Sequence, residues 1–165
     1  MKLAEEKKVV LVASELNFTT DQTTKGINMK GYHHATFLIE FGTIGTDDVN
    51  VKAYSGTDDL SLTSAIAFRY AYSATTCLQG TIASGADVLS AEATVVAADG
   101  LVVAQSTKSN FMLIVEVDAS DMDLDNEEEW LSLKFTDTGS ATGMATVFAI
   151  LEPRYTSNRS ATALA

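Results

Sequence analysis

One stretch of the chain decides the fold: Ala35-Thr36-Phe37-Leu38-Ile39-Glu40-Phe41. Its odd-numbered positions are all apolar, whereas its even-numbered positions carry Thr36, Leu38 and Glu40. Successive side chains of a β-strand point to opposite faces of a sheet. The alternation therefore predicts a half-buried strand whose odd-numbered residues share one face.

Five further segments alternate in the same way, at residues 49–54, 66–72, 111–118, 130–135 and 144–151. Weaker strand candidates lie at residues 8–12, 82–83 and 88–96, and turn-forming residues separate most of these segments. A helix is the alternative for residues 91–98, but Thr94, Val95 and Val96 disfavour it. The sequence predicts an all-β domain, a β-sandwich or jelly-roll-like fold of about 7–9 short antiparallel strands.

The length of 165 residues suggests one domain. We expect a sandwich over residues 31–155, preceded by an N-terminal arm over residues 1–30 and followed by a C-terminal tail over residues 156–165. The two ends lack a strand period, so we expect them to gain order by lying on a partner. Simple fraying of the ends is the alternative. We expect neither a signal peptide nor a membrane span, because the apolar runs are too short.

The net charge of −11 is unevenly distributed. Residues 36–150 contain four basic and 17 acidic residues, a net charge of −13, whereas the two ends contain seven basic and five acidic residues, a net charge of +2. Such an acidic body argues against binding to nucleic acid and to anionic membranes, since both require basic residues. The charge fits simple solubility, and it also fits an acidic body whose less acidic ends contact a partner.

The sequence offers no residue set with a catalytic pattern. Cys77 is the only cysteine and has no basic neighbour that would activate a thiol. His33 and His34 are adjacent, so on a strand they face opposite sides and cannot share one metal ion. Neither a nucleophile elbow nor a phosphate-binding glycine loop occurs. We therefore expect no enzyme activity, no metal site and no cofactor.

The acidic run Asp121-Met122-Asp123-Leu124-Asp125-Asn126 begins like an EF-hand loop. The match then ends, because Asn126 stands where that loop needs glycine and Ser132 stands where it needs glutamate. We interpret residues 121–129 as a solvated loop. A loose Ca²⁺ site there remains an open alternative.

A longer stretch, Met29-Lys30-Gly31-Tyr32-His33-His34-Ala35-Thr36 followed by residues 37–44, resembles a family of tailed-phage virion proteins. Further similar segments follow in the same order at residues 51–56, 65–70, 113–119, 130–133 and 149–155. Together they cover the chain from about Leu3 to Leu164. The resemblance implies a structural protein of the virion, with no catalytic residue to carry over.

Within that class the resemblance favours a capsid decoration (cement) protein. Such a protein would bind the outside of the capsid, commonly as a homotrimer, so its partners would be the major capsid protein and copies of itself. Its location would be the virion after synthesis in the host cytoplasm. The alternatives are a head–tail connector, tail or baseplate protein, and a calcium- or carbohydrate-binding module.

Two groups of residues are candidates for partner contact. The first is the apolar part of the N-terminal arm, made up of Val9, Val10, Leu11, Val12, Leu16 and Phe18. The second is the basic C-terminal group Arg154, Tyr155 and Arg159. As alternatives, residues 9–12 form an ordinary edge strand, and the C-terminal group belongs to a solvated tail.

Overall fold

The structure is a computed structural model that describes residues 3–77, 82 and 84–164. In chain order its elements are α1 (Leu3–Glu6), β1 (Lys8–Asn17), β2 (Gln22–Thr23), β3 (Ile27–Asn28), β4 (Tyr32–Phe41), β5 (Val49–Gly56), β6 (Leu62–Ile66), β7 (Phe68–Tyr72), β8 (Ala93–Val95), β9 (Leu101–Val103), α2 (Gln105–Lys108), β10 (Met112–Asp118), β11 (Trp130–Asp137) and β12 (Met144–Pro153). Short 3-10 turns occur at Ala119–Asp121, Leu124–Asn126 and Thr156–Arg159. Within the described residues, no helix is long and apolar enough to cross a membrane.

The strands form two antiparallel sheets. In sheet A the strand order is β1-β12-β4-β10-β7-β8. In sheet B the main path is β2-β11-β5-β6, with β3 also paired to β11 and β9 paired to β5. Buried residues of both sheets belong to one hydrophobic cluster. The predicted all-β fold class is confirmed, and the sheets form a sandwich around a single core.

Each of the longer strands buries one face in this core, and the alternation seen in the sequence marks the buried face. In β4, Ala35, Phe37 and Ile39 are fully buried, while the residues between them lie on the outer face of sheet A. From sheet B, Leu131 and Leu133 of β11 are equally buried. Burial of each large apolar side chain contributes about 1.5–3 kcal/mol, so these inward rows are the main source of stability.

The segment predicted as one strand at residues 66–72 is two strands in different sheets. β6 ends at Ile66 and pairs with β5 in sheet B, whereas β7 begins at Phe68 and pairs with β10 in sheet A. Ile66 and Phe68 are both buried, so the alternation continues across the change of sheet. A local pattern cannot show such a crossing, because both sheets face the same core.

Four strands of two or three residues, β2, β3, β8 and β9, accompany the longer ones. β8 lies inside the weak candidate at residues 88–96 and replaces the helical alternative there. Of the weak candidate at 82–83, Ile82 lies outside the strands and Ala83 lies outside the described residues.

The N-terminal segment is integrated into both sheets. β1 is the edge strand of sheet A and pairs with β12, while β2 and β3 pair with β11 in sheet B. Phe18, just after β1, is buried, and its N–H donates to the Gly143 carbonyl at 3.0 Å. Most of the residues predicted to form an arm therefore lie against strands of the same chain.

The C-terminal segment also contacts its own chain. Tyr32 donates its hydroxyl to the Asn158 carbonyl at 2.9 Å, and the Asn158 side-chain amide donates to the Gly31 carbonyl at 2.8 Å. Leu164 forms an isolated antiparallel bridge with Ile27. Residues 154–164 thus close one end of the sandwich.

Candidate interaction surface

A row of apolar side chains crosses the outer face of sheet A. Leu11 of β1 pairs with Phe148 of β12, Phe148 pairs with Leu38 of β4, and Leu38 pairs with Ile114 of β10. Residues that are directly opposite in neighbouring strands point to the same face and contact one another. The four side chains therefore form one continuous line perpendicular to the strands.

A second pair of apolar residues lies beside this line, near the free edge of the sheet. Val9 of β1 lies opposite Ile150 of β12, one step along the strands from Leu11 and Phe148. We call the six residues of the two rows the apolar face: Val9, Leu11, Leu38, Ile114, Phe148 and Ile150.

The apolar face is open to solvent. Leu11 is 50% exposed, Val9 46% and Phe148 41%, and the other three members are half-buried. Single exposed apolar residues are ordinary on protein surfaces, whereas here six apolar side chains lie side by side on paired strands. Such groups commonly mark a site of contact with another molecule.

A network of charged side chains borders the apolar face on one side. Asp118 of β10 is at its centre: its Oδ1 is hydrogen-bonded to His34 Nδ1 at 2.7 Å, and its Oδ2 accepts from Arg69 Nη2 at 2.9 Å. Arg69 Nε also lies 3.6 Å from a carboxylate oxygen of Glu92, and His34 Nε2 lies 3.9 Å from one of Glu116. The network ties β4, β10 and β7 together across the outer face.

These contacts perturb the central carboxyl. The hydrogen bond from His34, reinforced by the charges of His34 and Arg69, holds the pKa of Asp118 below its ordinary value of 3.8. On the same side of the apolar face, in β12, a hydrogen bond from Lys7 lowers the pKa of Glu152. Both carboxylates are therefore held in their charged form on this face.

The Asp118 contacts give a testable dependence of stability on pH. A carboxyl whose pKa is lowered by folding stabilises the protein fully above its unfolded pKa, and this contribution is lost as the pH falls through the folded pKa. We expect Asp118→Asn to be less stable than the wild type at neutral pH, and to lose less further stability below about pH 4. Urea midpoints measured from neutral to strongly acid pH test this. Identical acid slopes for the two proteins would contradict it.

The structure separates the predicted N-terminal contact residues into two sets. Val9 and Leu11 are exposed and belong to the apolar face. Val10, Val12, Leu16 and Phe18 are buried in the core of their own chain. Only the first two are thus available to a partner in this structure.

The predicted basic C-terminal residues lie away from the apolar face, at the end of the sandwich. Arg154 donates from Nε to the Tyr32 carbonyl at 3.0 Å, so its guanidinium is partly engaged within the chain. The Tyr155 side chain is 71% exposed, and Arg159 is half-buried in a 3-10 turn. These three residues do not join the N-terminal set in one surface.

Sequence reasoning did not nominate Leu38, Ile114, Phe148 and Ile150 as contact residues. A signal existed, since β4, β10 and β12 have apolar residues on both of their faces. That signal shows excess apolar surface but not which strands adjoin, and adjacency is what makes the group continuous.

The remaining chemical candidates lie elsewhere. Asp121, Asp123 and Asp125 are exposed in the loop between β10 and β11, where Asp123 accepts a hydrogen bond from the Asn126 side chain at 2.7 Å. Among the described residues, no group of three or more His, Cys, Asp or Glu side chains is arranged to hold a metal ion. Cys77 is a half-buried free cysteine.

One buried carboxylate lies in the interior near sheet B. Glu128 is 8% exposed, and its two carboxylate oxygens accept hydrogen bonds from the hydroxyls of Ser55 and Ser64, each at 2.5 Å. The two serines are opposite one another in β5 and β6. The carboxylate therefore fastens the loop before β11 to this strand pair.

Comparison with known proteins gives distant likenesses. No family model matches the sequence, and no curated protein matches it. The chain is similar to the solved structure of the SPBc2 prophage-derived protein YomS, with 13% identity and a TM-score of 0.42 over 88% of this chain and 92% of that one. Two structures of infectious bursal disease virus, from the Gt and Gx strains, match at 12% identity over 94% of this chain and 42% of theirs, with TM-scores of 0.25 and 0.21. Likenesses this distant carry no functional argument.

Proposed function

We propose that this chain is a structural protein of a tailed-phage virion that binds the outer surface of the capsid and stabilises the shell. The observation that carries the proposal is the apolar face, a group of exposed apolar side chains on paired strands. The segments that resemble tailed-phage virion proteins in the same order along the chain indicate which kind of particle it would belong to. The partners would be the major capsid protein and further copies of this chain, with a homotrimer as the expected assembly.

The physical properties of the chain support this role. A face built on four paired strands is held rigidly, so little conformational entropy is lost when a partner covers it. The net charge of −11 disfavours binding to the packaged nucleic acid and to anionic membranes. Many copies bound to a symmetric shell would also turn a modest contact into a strong collective one.

A binding experiment with purified particles tests the proposal. The protein is mixed with capsids that lack it, and the bound fraction is measured by sedimentation together with the temperature at which the capsids break open. We expect saturable binding and a higher breakage temperature, and native mass spectrometry should show a trimer. Binding to isolated tails or baseplates but not to capsids would overturn the proposal in favour of the connector, tail or baseplate alternative.

A further inference from the structure

We propose that the apolar face and the charged residues around it form one docking surface for a protein partner that presents apolar side chains bordered by lysine and arginine. The inference relies on the proposed function only for the identity of that partner, which would be the capsid protein. The chemistry of the partner is argued from this chain alone.

The size of the apolar face shows that it is not the whole contact. Six side chains, each covering about 4.8 Å across the strands and about 7 Å along them, give roughly 200 Å². A stable interface buries about 800 Å² on each partner. The charged positions beside the apolar rows must therefore lie within the contact, as in interfaces with an apolar centre and a polar rim.

The charges at these positions are mostly negative. Five carboxylates surround the apolar face: Glu40, Glu92, Glu116, Asp118 and Glu152. Two cations, Lys7 and Arg69, and the imidazole of His34 lie among them, and each already contacts carboxylates of this chain. The rim is thus net negative, and a complementary partner must bring positive charge.

The same charges disfavour a second copy of this chain as the occupant. Two copies joined through this face would bring two acidic rims together, and each copy carries a net charge of −11. Like charges that face each other across an interface disfavour its formation. An expected homotrimer would therefore use another surface and leave the apolar face to the heterologous partner.

The inference is tested with defined probes. The first probe is an octapeptide of alternating leucine and lysine, and the control peptide alternates leucine and glutamate. We expect the lysine peptide to shift the amide NMR signals of outward residues in β1, β12, β4 and β10, with an affinity that falls as salt rises. Equal binding of the glutamate peptide, or shifts confined to sheet B, would overturn the inference.

Matched variants locate the contact. The double variant Leu11→Gln with Phe148→Ser removes two exposed apolar side chains from the apolar face. Its control is Val102→Gln, because Val102 is also exposed (52%) but lies on β9 of sheet B. We expect the double variant to lose at least about tenfold in affinity for the lysine peptide and for capsids, and the control to retain both. Glu40→Lys should weaken binding, whereas Asp125→Lys, in the exposed loop after β10, should not. Circular dichroism confirms that each variant is folded.

The outcomes separate this inference from the proposed function. Capsid binding that is unchanged by the double variant would keep the function and refute the surface. Peptide binding at the face without any capsid binding would keep the surface and refute the function. Self-association of the wild type that the double variant abolishes would assign the face to a second copy instead.

Discussion

Replacing Phe18 by alanine should lower the free energy of unfolding by about 3–5 kcal/mol, the range for removing a buried aromatic side chain. Phe18 is 1% exposed, and its ring centre lies 5.9 Å from those of both Phe41 and Phe135. Phe41 and Phe135 are themselves 6.3 Å apart, so the three rings form one cluster between the sheets. Removing one ring leaves a cavity that the paired strands cannot easily close.

Urea unfolding of Phe18→Ala and of the wild type measures this loss. Leu11→Ala is the control, because Leu11 also belongs to the N-terminal segment but is 50% exposed, and we expect it to change stability by less than about 1 kcal/mol. A loss of under about 1 kcal/mol for Phe18→Ala would mean that the segment behaves as an arm.

Deletion of residues 1–20 should unfold the domain, since it removes the whole of β1.

The fold class could be predicted because half-buried strands leave a period of two in the sequence. β4 and β10 show this clearly, with every second residue buried along most of their length. One face of each such strand must meet the core, so several alternating segments of similar length already imply two packed sheets.

Only the first part of the N-terminal strand could be predicted, as the weak candidate at residues 8–12, because β1 is irregular beyond it. Its register with β12 shifts twice, between Leu11 and Ala13 and again between Ala13 and Leu16. Glu15 adopts a φ of +53°, which interrupts the extended backbone. These bulges break the period of two, and the partner strand lies near the other end of the chain, beyond the reach of any local pattern.

The candidate surface needed the topology for a similar reason. Leu11, Leu38 and Phe148 are distant in the sequence, and each is unremarkable as a single residue on its strand. They become one surface because the chain places β12 between β1 and β4 in a particular register. A shift of one residue in either pairing would turn the outward side chains into the core, so the surface depends on register as much as on composition.

The buried carboxylate of Glu128 leads to the second prediction with a large effect. Glu128→Ala should lower the free energy of unfolding by about 1–3 kcal/mol, because it leaves the buried Ser55 hydroxyl without its acceptor. The Ser64 hydroxyl, which is half-buried in β6, loses its acceptor at the same time. Glu128→Gln keeps one side-chain carbonyl oxygen as an acceptor, so we expect a smaller loss.

A double-mutant cycle separates the hydrogen bonds from the loss of side-chain volume. Ser55→Ala should destabilise the wild type but should cost clearly less in the Glu128→Ala background, where its hydroxyl is already unpaired. Urea unfolding of the four proteins measures this coupling, and equal effects of Ser55→Ala in both backgrounds would show that the hydrogen bond contributes nothing. Because the hydrogen-bond partners of this carboxylate among the described residues are neutral hydroxyls, the coupling should also change little with salt, unlike the Asp118 network on the outer face.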